Sequence, residues 1–294
     1  MHSQYIYFLL MIVISLACKS EKEAGTSFEE AIEQPFVSND EMAKDVVVVI
    51  PDEAEEETEA PAEPVEESFQ VVIIEEGVAR LVPYSSCKEI KDEVSDAPSG
   101  IYLLRVQDAA GVERDIQASC DMQTDNGGWT LVANYVHQGG TTPATQIRTE
   151  DLPLQNGDEL GLNEAASEYW GHASNSMVNA FAFTEVRLHC RTDEHDRIMD
   201  FKTSLNTCLD YFRTGQGDCN NVDNNFTPLN NHNAILPADQ TRSEDNLGDD
   251  MMIGDIVGRL SNQHWRMGTN NNQWECDNNP DNGQFHTIHR IWIR

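Results

Sequence analysis

The sequence predicts an α+β domain of antiparallel sheets, short helices and long irregular loops, disulfide-braced and preceded by an acidic segment. Three observations point there. Six of the seven cysteines (Cys87, Cys120, Cys190, Cys208, Cys219 and Cys276) fall after residue 85. The apolar runs in that region are short and are bounded by Gly, Asn, Asp and Pro, the residues that make turns. The 294-residue chain carries a formal charge of −32, and its proline-broken acidic runs lie before residue 85.

At the N-terminus, Tyr5 to Ala17 is almost wholly apolar, and the small residues Ser15 and Ala17 precede Cys18. The run is too short for a bilayer span, which needs roughly twenty residues, and suits the apolar core of a cleaved signal over 1–17. Ser15-Leu16-Ala17-Cys18 resembles a bacterial lipobox. That resemblance implies lipidation at Cys18, a membrane anchor there, and a place in the cell envelope, at the outer membrane or cell surface. An ordinary secretory signal with Cys18 incidental, and a secreted product, accounts for the same run. The seventh cysteine thus stands apart while six remain to pair. No two of them form a CxxC, which disfavours a zinc ribbon or a thioredoxin-like motif and favours an oxidising compartment.

Residues 18–84 read as an acidic tether. Runs such as Asp52 to Glu57 and Ala60 to Glu67 combine carboxylates with proline. They bury too little apolar surface to offset chain ordering, so disorder and an extended, self-repelling spacer are expected. Two apolar islands interrupt it, Val46 to Ile50 and Phe69 to Ile74. Each is either a short strand docking on the domain or a sticky patch guarded by flanking carboxylates. The charge excludes a nucleic-acid partner, because no basic stripe is present to displace counterions from phosphates.

From residue 85 the pattern becomes globular, over 85–294. Ile101 to Val106 predicts a strand launched by the Pro98-Ser99-Gly100 turn, and Gln117 to Met122 a second extended piece. Asp125-Asn126-Gly127-Gly128 is a turn signal, since Asn and Gly tolerate positive φ, and it feeds a strand over Trp129 to Ala133. Glu164 to Phe181 predicts a helix with Trp170 and Met177 packing inward. Phe181 to Cys190 alternates as a central strand with one buried face.

Ser86-Cys87, then Pro98 to Leu103, then Cys120-Asp121-Met122-Gln123-Thr124-Asp125-Asn126-Gly127-Gly128-Trp129-Thr130-Leu131-Val132 resembles the start of a fibrinogen C-terminal-like domain. His286 to Arg294 is similar to the closing strand of bacterial members. Ficolins, tachylectins and intelectins belong to this group, so the resemblance implies a fibrinogen-like fold and an extracellular, non-catalytic recognition role. It also implies a Cys87–Cys120 bridge. Cys208 and Cys219 are close enough to pinch off a small loop, and Cys190 would then join Cys276. Six cysteines allow fifteen connectivities.

The chain lacks the family's Gly-Gly-Trp-Trp segment and its Asp-x-Asp-Asn-Asp calcium loop, so sites are sought in its own Asn/Asp-rich stretches. These are Asp218 to Asn225, Glu244 to Asp250, and Asp277 to Gly283. In the last, Asp277, Asn279 and Asp281 alternate so as to converge on one ion, and calcium takes such oxygen ligands. Turn-making is the alternative role of every such stretch. Trp274 and Asn278 stand beside that loop as candidate ligand contacts, the indole as a stacking face for a sugar. No HExxH or GxSxG motif occurs, so an enzyme is not expected. The expectation is calcium-assisted binding of a glycan or another acetylated or diol ligand. The alternative is a structural or protein-interaction lipoprotein with a surface-protein partner.

Overall fold

A computed structural model of the chain describes residues 45–49, 70–75, 78–81, 83–107, 111–155, 157, 160, 164, 168–217, 219, 221–234, 258–259, 262–263, 265–269, 273–277 and 284–294. Contacts divide the backbone between Val82 and Pro83 into two units.

In the first unit, β1 (Asp45–Val49), β2 (Gln70–Glu75) and β3 (Val78–Leu81) form an antiparallel sheet in that order. Val47 pairs with Val72, which pairs in turn with Leu81. The two apolar islands therefore pair with each other through β1 and β2. Val and Ile suit a pleated backbone, and pairing satisfies amides and carbonyls that an isolated strand leaves open. The segment expected to be a signal, Cys18 and the acidic runs of the expected tether lie outside the described residues.

The second unit begins at Pro83, with Tyr84 buried and its carbonyl accepting from Arg105 N at 2.8 Å. A short helix α1 (Cys87–Glu93) follows, capped by Ser86, whose hydroxyl accepts from Glu89 N. The main sheet contains β4 (Gly100–Gln107), β5 (Glu113–Asp121), β6 (Trp129–His137), β9 (Val186–Thr192), β10 (Met199–Thr203), β11 (Thr227–Pro228) and β16 (Thr287–Ile293). Their order is β11-β10-β9-β16-β6-β5-β4, every neighbouring pair antiparallel. A short strand β8 (Gly171–Ala173) pairs with β6, and β7 (Ile147–Arg148) pairs in parallel with β8. Helices α2 (Asn175–Val178) and α3 (Asn206–Thr214) and the hairpins β12 (Gly258–Arg259) with β13 (Asn262–Gln263) and β14 (Trp265–Thr269) with β15 (Gln273–Cys276) complete the described part. It is an antiparallel α+β architecture with few, short helices.

Every residue of β6 and of β16 is buried, which marks these two paired strands as the middle of the core. Three disulfides brace it: Cys87–Cys120, Cys190–Cys276 and Cys208–Cys219. These are the pairings considered from the sequence.

The turn before β6 shows why its sequence is what it is. Asp125, Asn126, Gly127 and Gly128 all take positive φ, between 48° and 80°. A Cβ on Gly127 would lie 2.2 Å from the Met122 carbonyl oxygen, so only glycine fits there. The Asp121 carboxylate accepts from Gln123 N and Thr124 N at 3.0 Å each, and the Trp129 indole N–H donates to the Thr124 carbonyl at 2.9 Å. The Arg294 guanidinium lies 4.1 Å over the Trp129 ring and donates to Gly127 O and Asp125 Oδ2.

Two expected elements differ. Among the described residues of the helix expected over 164–181, only Asn175–Val178 is helical, because Gly171, at φ 134°, opens β8 instead. Asn134 further fixes this stretch by donating to the Tyr169 carbonyl, and the Glu168 carbonyl accepts from Leu154 N at 2.9 Å. Trp170 and Met177 are nonetheless buried. The strand expected from Phe181 begins at Val186, since Phe181 N still bonds Val178 O and Thr184 N bonds Arg294 O.

Candidate functional site

On one face of the sheet the Cys190–Cys276 bridge ties β9 to β15. This bridge brings Trp274 against β6 and β16. The Trp274 ring stacks on His137 at 4.9 Å and packs on Tyr135 at 5.4 Å and Trp170 at 5.3 Å. It is completely buried. The role expected for Trp274 as an open stacking face for a sugar is corrected accordingly: protein rings already occupy its surroundings. Trp265 is equally buried and meets His289 edge-on at 4.8 Å.

Polar groups are caught in this aromatic layer. His289 Nε2 bonds the Glu275 carbonyl at 2.8 Å, and among the described residues its Nδ1 has no partner. His172 Nδ1 bonds the Tyr135 hydroxyl at 2.5 Å, and among the described residues its Nε2 has none. The indole N–H groups of Trp265 and Trp274 likewise find no acceptor among the described residues. Burial disfavours the charged imidazole, and it pushes His172 and His289 down to about 3. At its margin the layer is tied to Glu164, whose Oε2 lies 3.1 Å from His137 Nδ1 and accepts from Gln138 N.

Asp277, the first of the three expected calcium ligands, follows Cys276 directly. Its φ is 55°, and its side chain is buried. The carboxylate accepts from Arg197 Nε at 2.7 Å, and Arg197 also donates to the Asp277 carbonyl. Asn278, Asn279 and Asp281 lie outside the described residues, as does the stretch from Glu244 to Asp250. In the first Asn/Asp stretch, Val222–Asn224 is a single 3-10 turn, and the Asn225 amide donates to Asn221 O at 2.8 Å. Those described side chains make the turn itself. Among the described residues no group of three or more His, Cys, Asp or Glu side chains is placed to hold a metal.

The opposite face of the sheet is polar. Arg187 on β9 forms a bidentate pair with Asp200 on β10, at 2.8 and 2.9 Å, and reaches Asp121 on β5 at 2.7 Å. Asn230 donates to the same Asp200 carboxylate at 3.0 Å. Burial opposes ionisation of Asp200, yet the hydrogen bonds and charges of His189 and Arg187 outweigh it and hold its carboxyl well below the usual range. Asp121 is likewise held low against burial, by bonds from Thr124 and Gln123 and by Arg187. Nearer the turn, Lys202 bridges Asp125 at 2.6 Å and Glu185 at 2.9 Å.

The residue pattern Arg187-Leu188-His189-Cys190-Arg191 carried the signal for this face: three basic or polar residues at period two on one strand. Arg197, the partner of Asp277, had no such signal, because 80 residues separate the two.

No family model matches the chain. Among the described residues no helix is long and apolar enough to cross a membrane.

Proposed function

We propose that residues 83–294 form a fibrinogen-like recognition module held at the cell envelope by a lipid on Cys18. Its ligand is a glycan or another acetylated or diol-bearing molecule, bound with calcium at the loop after Cys276. The observation that carries this is the turn encoded by Cys120 to Trp129, where Asp121, Gly127 and Trp129 each have a distinct structural duty next to the Cys87–Cys120 bridge. Those are the residues on which the family resemblance rests. The Cys190–Cys276 bridge fixes the base of the proposed loop, which lowers the ordering cost of binding.

A glycan array probed with the full chain, with calcium and with EDTA, tests this. Calcium-dependent retention of an acetylated or diol-bearing saccharide is expected. Retention unaffected by EDTA would remove calcium from the mechanism, and no retention at all would remove the glycan.

The burial of Trp274 and the Arg197–Asp277 pair favour a second reading, a structural or protein-interaction lipoprotein on the same fold. Under it the array is blank and a surface protein is recovered instead.

A further inference from the structure

The Asn/Asp stretch that begins at Asp218 runs into a triplet that the calcium reading leaves unused. Asn225-Phe226-Thr227 is the one Asn-x-Ser/Thr triplet in the chain, and its middle residue is not proline. Such a triplet is the acceptor for an N-linked oligosaccharide, and the hydroxyl two residues on is the group a transferase reads beside the amide. Asp223 stands two residues before Asn225, where bacterial transferases of this class also read a carboxylate.

The fold puts the two reacting positions at the surface. Phe226 is half-buried, its ring meeting Phe201 edge-on at 5.5 Å and His232 at 5.4 Å. With Phe226 turned inward, its neighbours on either side turn outward, and Asn225 and Thr227 are both exposed. The Asn225 backbone is anchored: its N–H donates to Val222 O at 2.9 Å, and its carbonyl accepts from Thr203 Oγ1 at 2.7 Å. Its side chain is not used up. Nδ2 donates to Asn221 O at 2.8 Å, one bond from a group with two hydrogens, so one hydrogen remains for replacement. Thr227 lies on β11, the outermost strand of the main sheet, which among the described residues pairs with β10 alone. A bulky group rooted at Asn225 therefore meets no described strand on that side.

We propose that Asn225 is an N-glycosylation site whose donor is a polyprenyl-diphosphate-linked oligosaccharide. Asn225 Nδ2 bonds C1 of the first sugar, the C1–O bond to the diphosphate breaks, and the amide gives up one proton as the polyprenyl diphosphate leaves. Transfer precedes closure of the turn, because the bonds to Val222 and Thr203 hold the triplet fixed afterwards. Pro228 biases Thr227 toward an extended backbone even before then, which slows transfer and leaves a mixture of free and modified chains. The site rests on the export reading of residues 1–17 and is independent of calcium.

Peptide mapping by mass spectrometry, on the chain isolated from the cells that make it, tests this, with the N-terminal peptide read in the same digest. A fraction of the peptide bearing Asn225 carries the added mass of an oligosaccharide, and fragmentation places it on Asn225. Thr227→Ala, at an exposed residue, loses the modification completely, and Thr227→Ser keeps it. Asp223→Ala assigns the transferase: loss of the sugar points to one that reads the carboxylate, and retention to one that reads the triplet alone. Unmodified Asn225 on chains that have lost residues 1–17 overturns the site alone, and on chains that keep them it overturns the export reading as well. A sugar retained in Thr227→Ala, or carried by another residue of the peptide, also overturns the site.

Discussion

Lowering the pH from about 8 to about 5 should destabilise the domain through two histidines in the aromatic layer. His172 and His289 are fully buried, and burial brings both down to about 3. The unfolded chain binds their protons near pH 6.5, whereas the native state refuses them until about pH 3. A base depressed in this way contributes its full stability above pH 6.5 and loses it progressively as pH falls toward 3. At pH 5 the loss is about 2 kcal/mol per ring, so about 4 kcal/mol for both. That is a large share of the roughly 5–15 kcal/mol by which domains are stable. The depressed carboxylates Asp121 and Asp200 contribute stability that is lost only below about pH 4, so the window from 6.5 to 5 belongs to the histidines. His189 and His232, also lowered by burial, push in the same direction. Urea denaturation of the full chain with disulfides intact, followed by tryptophan fluorescence, reads this directly. His289→Gln keeps a donor for the Glu275 carbonyl and should remove about half of the loss. A midpoint unchanged from pH 8 to 5, or an unchanged slope in His289→Gln, would refute the reasoning.

Gly127→Ala should cost several kcal/mol by thermal melt, since the new methyl meets the Met122 carbonyl, while Gly217→Ala, also at positive φ but in open space, costs about 1 kcal/mol. Removing the Cys190–Cys276 bridge, whose ends are 86 positions apart in sequence, should cost about 4–5 kcal/mol, against about 3 kcal/mol for Cys208–Cys219, 11 positions apart. Paired Cys→Ser variants in urea give that ranking, and the reverse order would show that the unfolded chain is not what the bridges constrain. Arg187→Gln strands Asp200 in the interior and should cost about 3–5 kcal/mol. Arg105→Gln, at an exposed pair, leaves the midpoint where it was.

Local features of the fold were the legible ones. The positive-φ turn from Asp125 to Gly128 is written in residue types whose backbone preferences are strong, and β4 and β6 were visible from apolar runs next to turn residues. The strands β1 and β2 were recognisable as apolar islands, yet their pairing was not, because 20 residues separate Val49 from Gln70 and period alone names no partner. The shortening of the helix expected from Glu164 has a similar reason: groups far upstream, the Asn134 amide and Leu154 N, bond the carbonyls of Tyr169 and Glu168. Composition marked Trp274 as a candidate but carried no sign of which rings would surround it. The Arg187–Asp200 pair depends on the antiparallel register of β9 with β10, which places Asp200 opposite His189, and no feature of either residue announces it.

The position of β16 has a consequence for how the domain is made. It is the last strand in sequence, yet it lies between β9 and β6 and pairs with both. A chain delivered N-terminus first therefore passes through a stage with two half-sheets, β4 to β6 on one side and β9 to β11 on the other, each ending in an unpaired edge. Such edges template pairing with other chains. The domain can close only when residues 287–293 arrive, and loss of those seven residues should yield aggregates rather than a smaller folded unit. The carboxylate-rich segment ahead of the domain is synthesised before it, and its charge repels neighbouring chains while that gap is open.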